Sequence, residues 1–260
     1  MKTTEIKKSV HWHDLTNLSK KEIFIENSIT VPWFVGSLLA AHYQLYWLAL
    51  PLSFFFFLTA LRQVHNGFHN SLGINKKLTE INLLLNSVLM LASMHAVKFN
   101  HLRHHKYCLG EKDYEGKCAR LNWYQAILYG PIHIFNLHYF TFKYGNHQYK
   151  KYVILELSLI AIFITVVFAL QIKVLIYHIL TMFLAEFFSA FFAVWSVHHH
   201  SEDQPHQART QRTKWKNMLS FNMFYHMEHH LFPAVPTIKM PELARRIDKA
   251  FPSMKTKQTF

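Results

Sequence analysis

NSITVPWFVGSLLAAHYQLYWLALPLSFFFFLTAL, from Asn27 to Leu61, holds no Asp, Glu, Lys or Arg in 35 residues. One bilayer crossing uses roughly 20 apolar residues. The run therefore predicts two short crossings, Ile29–Trp47 and Leu48–Val64, joined by a tight turn around Leu48–Pro51. A second apolar block runs from Tyr152 to Val197, interrupted by Glu156, Lys173 and Glu186. It divides at Gln171–Lys173 into crossings Tyr152–Leu170 and Val174–Val197. Buried helices of a soluble protein rarely run so far without a polar stripe. The expected fold is an all-α membrane protein: four transmembrane helices in two hairpins, with a cytoplasmic helical cap beneath them.

The charges orient this arrangement. Two hairpins leave residues 1–27, about 62–151 and 198–260 on one side. Of the 28 Lys and Arg, all but Lys173 fall there. Excess basic charge marks the cytoplasmic side, so both termini and the segments between hairpins are expected in the cytoplasm. The first 27 residues are polar, without the apolar core of a cleavable signal peptide. Cys108 and Cys118, on the reducing side, should remain thiols, and two cysteines without a Cys-x-x-Cys pair exclude a zinc ribbon. The net charge of +13 is read as membrane-flanking charge, with no nucleic-acid partner, since no binding motif accompanies it.

Neither an internal repeat nor a low-complexity linker divides the chain, so residues 1–260 are read as one domain. Leu78–Lys98 reads as one helix, apolar on most faces. Leu121–Phe142 reads as an amphipathic, aromatic helix at the membrane interface. Pro241 suits a first helical position, with a short charged helix over Glu242–Phe251.

Histidine is the unusual residue, with 20 copies. Three clusters stand out: His65-Asn-Gly-Phe-His69, His101-Leu-Arg-His104-His105 and His226-Met-Glu-His229-His230. Positions i, i+3 and i+4 share a helix face, so each cluster aims its rings one way. All three fall on the predicted cytoplasmic side. Eight imidazoles exceed what one ion holds, which implies two metals. A structural zinc site would close with four ligands. An inverted zinc-protease motif is excluded because Tyr225 stands where its first His belongs. Imidazole suits Fe, Zn, Cu and Ni, and a redox metal with open positions for oxygen points to iron. His11, His13, His42, His133, His138, His147, His178 and His206 are read as ordinary core or surface residues.

The ordered boxes, spread over two hairpins, resemble the membrane fatty acid desaturase family. His226-Met-Glu-His229-His230-Leu-Phe-Pro233 is especially similar to that family's third box, and the resemblance covers about residues 30–250. It implies a non-haem di-iron centre that uses O2 and two electrons to remove hydrogens from an acyl chain. The expected iron ligands are His65, His69, His101, His104, His105, His226, His229 and His230. The family usually adds a ninth histidine after the fourth crossing. Within Val197-His198-His199-His200-Ser201-Glu202-Asp203, His199 matches best and His198 is the alternative. Asp113, Glu115, Glu202, Asp203 and Glu228 are candidates for orienting the ligands, and His95 for supporting them.

The implied substrate is a fatty acid carried as an acyl lipid, acyl-CoA or acyl-carrier thioester. The alternatives are a di-iron lipid hydroxylase or carotenoid ketolase, and a histidine-rich metal transporter. Transport is disfavoured because the dense histidine lies outside the crossings. The Phe54–Phe57 run is read as lipid-facing filler. No haem or flavin fingerprint is present, so electrons must come from a donor such as a ferredoxin or cytochrome b5-type protein. Arg209, Arg212, Lys214 and Lys216 form its candidate docking patch, with ordinary positive flank as the competing reading.

Overall fold

The computed structural model describes residues 3–254 and 256–259. These form helices without a β-strand, apart from one isolated bridge between Thr210 and Gln258. Four helices are long and apolar enough to cross a membrane: Lys20–His42, Tyr46–Phe68, His147–Ala169 and Lys173–His198. Their outer faces expose Leu39, Leu50, Ile162, Val166, Leu180 and Phe183, a surface suited to lipid rather than water.

The first turn lies earlier than the sequence suggested. The chain reverses at Tyr43–Leu45, and Pro51 sits inside the second helix. Gln44 adopts φ 59°, its amide bonds Ala41 O at 3.0 Å, and the Leu45 amide bonds Ala40 O at 2.9 Å. That is a Schellman closure, which caps the helix without glycine or proline.

The expected Leu78–Lys98 helix is broken. Lys76–Met90 and Met94–Tyr107 meet at a 110° bend. Leu91 takes φ 58°, and the Ser93 side chain caps the next helix by accepting from the Ala96 amide at 3.1 Å. Glu156, wholly buried on the third long helix, holds the bend. Its carboxylate accepts from the hydroxyls of Ser87 (2.7 Å) and Ser93 and from the His95 amide (3.1 Å). The expected Leu121–Phe142 helix also divides, into Trp123–Leu128 and Gly130–Tyr144. A Cβ on Gly130 would lie 2.2 Å from Glu186 O, so only glycine permits this crossing.

The charged helix near the C-terminus runs Met240–Ala250 with Pro241 in its first turn, as expected. Its Leu243 and Ile247 pack with Ile6, Leu15, Met227 and Leu231. Asp14 binds Arg246 in two contacts of 2.7 and 2.8 Å, tying the two ends of the chain together. A buried knot joins the first two long helices to this assembly. Glu26 accepts from Arg62, from Asn66 at 2.8 Å and from the Ile238 amide at 3.1 Å. The base of the second helix is thereby fixed to the segment that carries the third histidine box.

Candidate metal centre

All eight box histidines converge beside the C-terminal ends of the second and fourth long helices. Their side-chain nitrogens form two groups, each with ligand atoms within 4.8 Å of one another. His65, His69, His101, His105 and His229 make the first group; His104, His198, His226 and His230 make the second. The groups adjoin: the His105 and His230 rings stack with centroids 4.3 Å apart. His101 and His105, four residues apart on one helix, enter the first group. His104, on the same helix face, reaches the second group instead.

The hydrogen bonds behind the rings show what the front nitrogens are for. His104 Nδ1 donates to Asp113 Oδ2 at 2.7 Å, and His198 Nδ1 donates to Gln207 O at 2.7 Å. A neutral imidazole carries one N–H, so with tautomers assigned from these acceptors, both Nε2 atoms present lone pairs. Yet His104 and His198 bring their Nε2 atoms to 2.9 Å, His198 and His226 to 2.9 Å, and His226 and His230 to 3.1 Å. One proton can bridge one such pair. Three successive pairs leave four nitrogens close enough together that one metal ion could be shared among them. The first group repeats the pattern: Nε2 separations are 3.1 Å for His69–His101, 3.1 Å for His101–His105 and 2.8 Å for His105–His229. Both buried nitrogens of His65 lack a hydrogen-bond partner.

Electrostatics agree with this donor set. Burial, followed by the charge of neighbouring imidazoles, pushes His69, His105, His226, His229 and His230 well below the ordinary histidine range. Neutral imidazole is the metal-binding form. His104 differs: burial opposes its charge, but Asp113 outweighs burial and raises its pKa. Burial likewise works to raise Asp113 and Glu115, and the partner histidines His104 and His101 reverse it, leaving both below the carboxylate range. Glu115 accepts from His101 Nδ1 at 3.0 Å. Carboxylates behind imidazoles fix ring orientation and increase ligand basicity. An all-imidazole donor set backed in this way fits iron among the metals imidazole suits.

His199 lies outside both groups. Its ring stacks on Trp195 with centroids 4.0 Å apart, and its Nδ1 bonds Trp195 O at 2.7 Å. The neighbouring His198 enters the second group instead. Just before this pair, Phe191–Trp195 winds as a π-turn, which shifts the register of the residues that follow. Of the proposed supporting acids, Asp113 and Glu115 reach box histidines. Glu228 instead accepts from Thr210 at 2.6 Å and pairs with Arg212 at 2.7 Å. Asp203 pairs with Lys257 at 2.7 Å, and Glu202 is exposed. His95 is tied to Glu80 and Glu156, away from the groups.

A cavity of about 370 Å³ opens against the histidines. Its walls include Phe54, Phe57, Leu58, Phe68, Met90, Leu137 and Phe192, and His65, His101, Glu115 and His226 face into it. Of the Phe54–Phe57 run, Phe54, Phe55 and Phe57 are thus cavity wall and Phe56 is buried against Phe34 and His178, so the run is not lipid-facing filler. The signal was present in the sequence, because Phe54, Phe57, Leu58, Leu61, His65 and Phe68 recur at helical spacing on one stripe. In the basic patch, Arg212 is held by Glu228 and by Asp248 at 2.8 Å, while Arg209 donates to the carbonyls of His199 and, at 2.7 Å, Gln258. Lys214 is exposed and Lys216 partly so.

An all-helical membrane chain that gathers nine imidazoles into two adjoining groups is a histidine-box membrane protein. The family model for fatty acid desaturase matches residues 41–259, and the chain belongs to that family. No curated protein and no solved structure matches it.

Proposed function

We propose that this protein is an oxygen-dependent di-iron desaturase that places a double bond in the acyl chain of a fatty acid or lipid. The observation that carries the reading is the apolar cavity ending on the histidine groups, which would bring a hydrocarbon segment to the metal. The proposed ligands are His65, His69, His101, His105 and His229 for one iron, and His104, His198, His226 and His230 for the other. Bound iron would activate O2 toward C–H bonds that acid–base chemistry cannot reach, because neither carbon nor hydrogen has a workable pKa. The balance is R–CH2–CH2–R′ + O2 + two electrons + two protons giving R–CH=CH–R′ + 2 H2O. Both electrons would come from a donor such as a ferredoxin or cytochrome b5-type protein.

The chain's own contribution is positional. Asp113 and Glu115 hold the Nδ1 hydrogens of His104 and His101, so these rings present lone pairs forward. Phe54, Phe57, Met90 and Phe192 line the passage with apolar surface, which excludes water and takes up an extended chain. In this reading the long helices span as two hairpins. Their basic flanks, the termini and the metal centre lie on the cytoplasmic side, where the donor is reached.

The test is lipid profiling by mass spectrometry of cells making wild type or His229→Ala, with iron measured on both purified proteins. About two irons per chain and a new unsaturated chain, both lost in the variant, are expected. A hydroxylated or ketonic product would assign the oxidation to the other chemistry, and zinc at wild-type occupancy would refute the iron reading.

A further inference from the structure

The cavity is not uniformly apolar. Apart from the groups at the metal end, two ionisable side chains enter its wall: His133 from the Gly130–Tyr144 helix and Glu186 from the fourth long helix. His133 is 3% exposed, and its buried Nδ1 has no hydrogen-bond partner. The Glu186 carboxylate makes no hydrogen bond or ion pair among the described residues. The nearby Ser189 hydroxyl is already used, donating to Glu186 O at 2.7 Å. The two wholly buried acids of the long helices, by contrast, are each answered by several donors. Glu156 has four donors around it, and Glu26 has Arg62, Asn66 and a backbone amide. Buried polar groups are costly without partners and are normally satisfied. An ionisable residue at membrane depth marks a functional site by default.

We propose that His133 and Glu186 recognise an oxygen function, a hydroxyl or keto group, on the buried part of the substrate, so that the preferred substrate is an oxygenated lipid chain. This rests on the reading of the cavity as the lipid site. A plain hydrocarbon would fill the cavity but leave both side chains unanswered. A hydroxyl answers both, accepting from the imidazole and donating to the carboxylate. Neither residue belongs to the two histidine groups, so the oxygen function would be held by the cavity wall while another part of the chain meets the histidines.

The experiment uses the full-length iron-loaded protein, immobilised in one detergent. Tritiated methyl hexadecanoate is displaced by unlabelled methyl hexadecanoate or by methyl 16-hydroxyhexadecanoate. The readout is the ratio of their displacement constants, compared between wild type and variants, so that detergent partitioning cancels. Wild type should prefer the hydroxylated ester by about tenfold. His133→Phe and Glu186→Leu should each bring the ratio toward that of the detergent alone, whereas Glu186→Gln, which still hydrogen-bonds, should keep much of the preference. Equal displacement in wild type would mean that water answers the two groups. That result, or a preference surviving both apolar variants, overturns the proposal while leaving the lipid site intact. No binding of the tritiated ester to wild type would overturn the lipid site and this proposal together.

Discussion

His95 and His101 lie on one helix, six residues apart, and both are buried against carboxylates. Their second nitrogens separate them. His95 places Nδ1 on Glu156 at 2.7 Å and Nε2 on Glu80 at 2.6 Å, with its ring stacked 4.1 Å over Tyr152. Both nitrogens are spoken for, and nothing remains for a metal. His101 places Nδ1 on Glu115, then turns Nε2 toward His69 and His105. A buried histidine is thus identified by where its free edge points, not by burial or by an adjacent acid. The His95 cluster pins the 110° bend that aims the second box, and the His101 cluster is what the bend aims.

The largest expected effect separates these two rings. His101→Ala or His104→Ala should cut product formation by more than about 100-fold, exceeding the usual loss from a supporting residue, and should lower bound iron. His95→Phe should leave the iron content of the folded protein unchanged. Metal analysis of the three purified variants checks this. If His95→Phe folded normally but emptied the site, the contrast drawn here would collapse.

Glu156 comes next. Its removal leaves His95 and two serines without their acceptor in a buried place. A buried donor left unsatisfied costs about 1–3 kcal/mol, so losing this shared acceptor is put at about 3–5 kcal/mol in all. Glu156→Leu should therefore lower the thermal midpoint in detergent by roughly 6–20 °C, from a shift of about 2–4 °C per kcal/mol in a chain of this size. An unchanged midpoint would show that the bend holds itself. Asp113→Asn should do the opposite: the midpoint moves little, while iron affinity falls about 10–100-fold. Chelator competition measures the second quantity, and an affinity equal to wild type would deny Asp113 its orienting role.

These contrasts explain what could be read in the sequence. The crossings were legible because lipid demands long uncharged runs, and the boxes because ligands on one helix face must recur at i, i+3 and i+4. The bend at Leu91–Ser93 was hidden. Ala92 and Ser93 look like helix interior, and the acid that organises them lies 63 residues beyond Ser93. The turn at Tyr43–Leu45 was misplaced because Pro51 is the stronger local signal, whereas the actual cap rests on Gln44 adopting a positive φ. His133 and Glu186 gave no motif at all; only the shared cavity relates them.

The smallest expected effect lies at the ninth histidine, where neighbouring residues have opposite fates. On a regular helix His198 and His199 point about 100° apart, so one residue of register decides which ring arrives. The π-turn at Phe191–Trp195 changes that register in the last turns before the site. His198 is wholly buried and faces His104 and His226, whereas His199 is half-buried against Trp195. His199→Ala should leave iron content unchanged and cost no more than about 0.5 kcal/mol, the usual range for a side chain outside the core and the site. His198→Ala should behave as a box variant. Deleting Ala193 from within the π-turn would restore regular winding and rotate both rings, so the deletion should lose iron even with every histidine retained. Iron retained in that deletion variant would show that the register of the turn does not select the ligand.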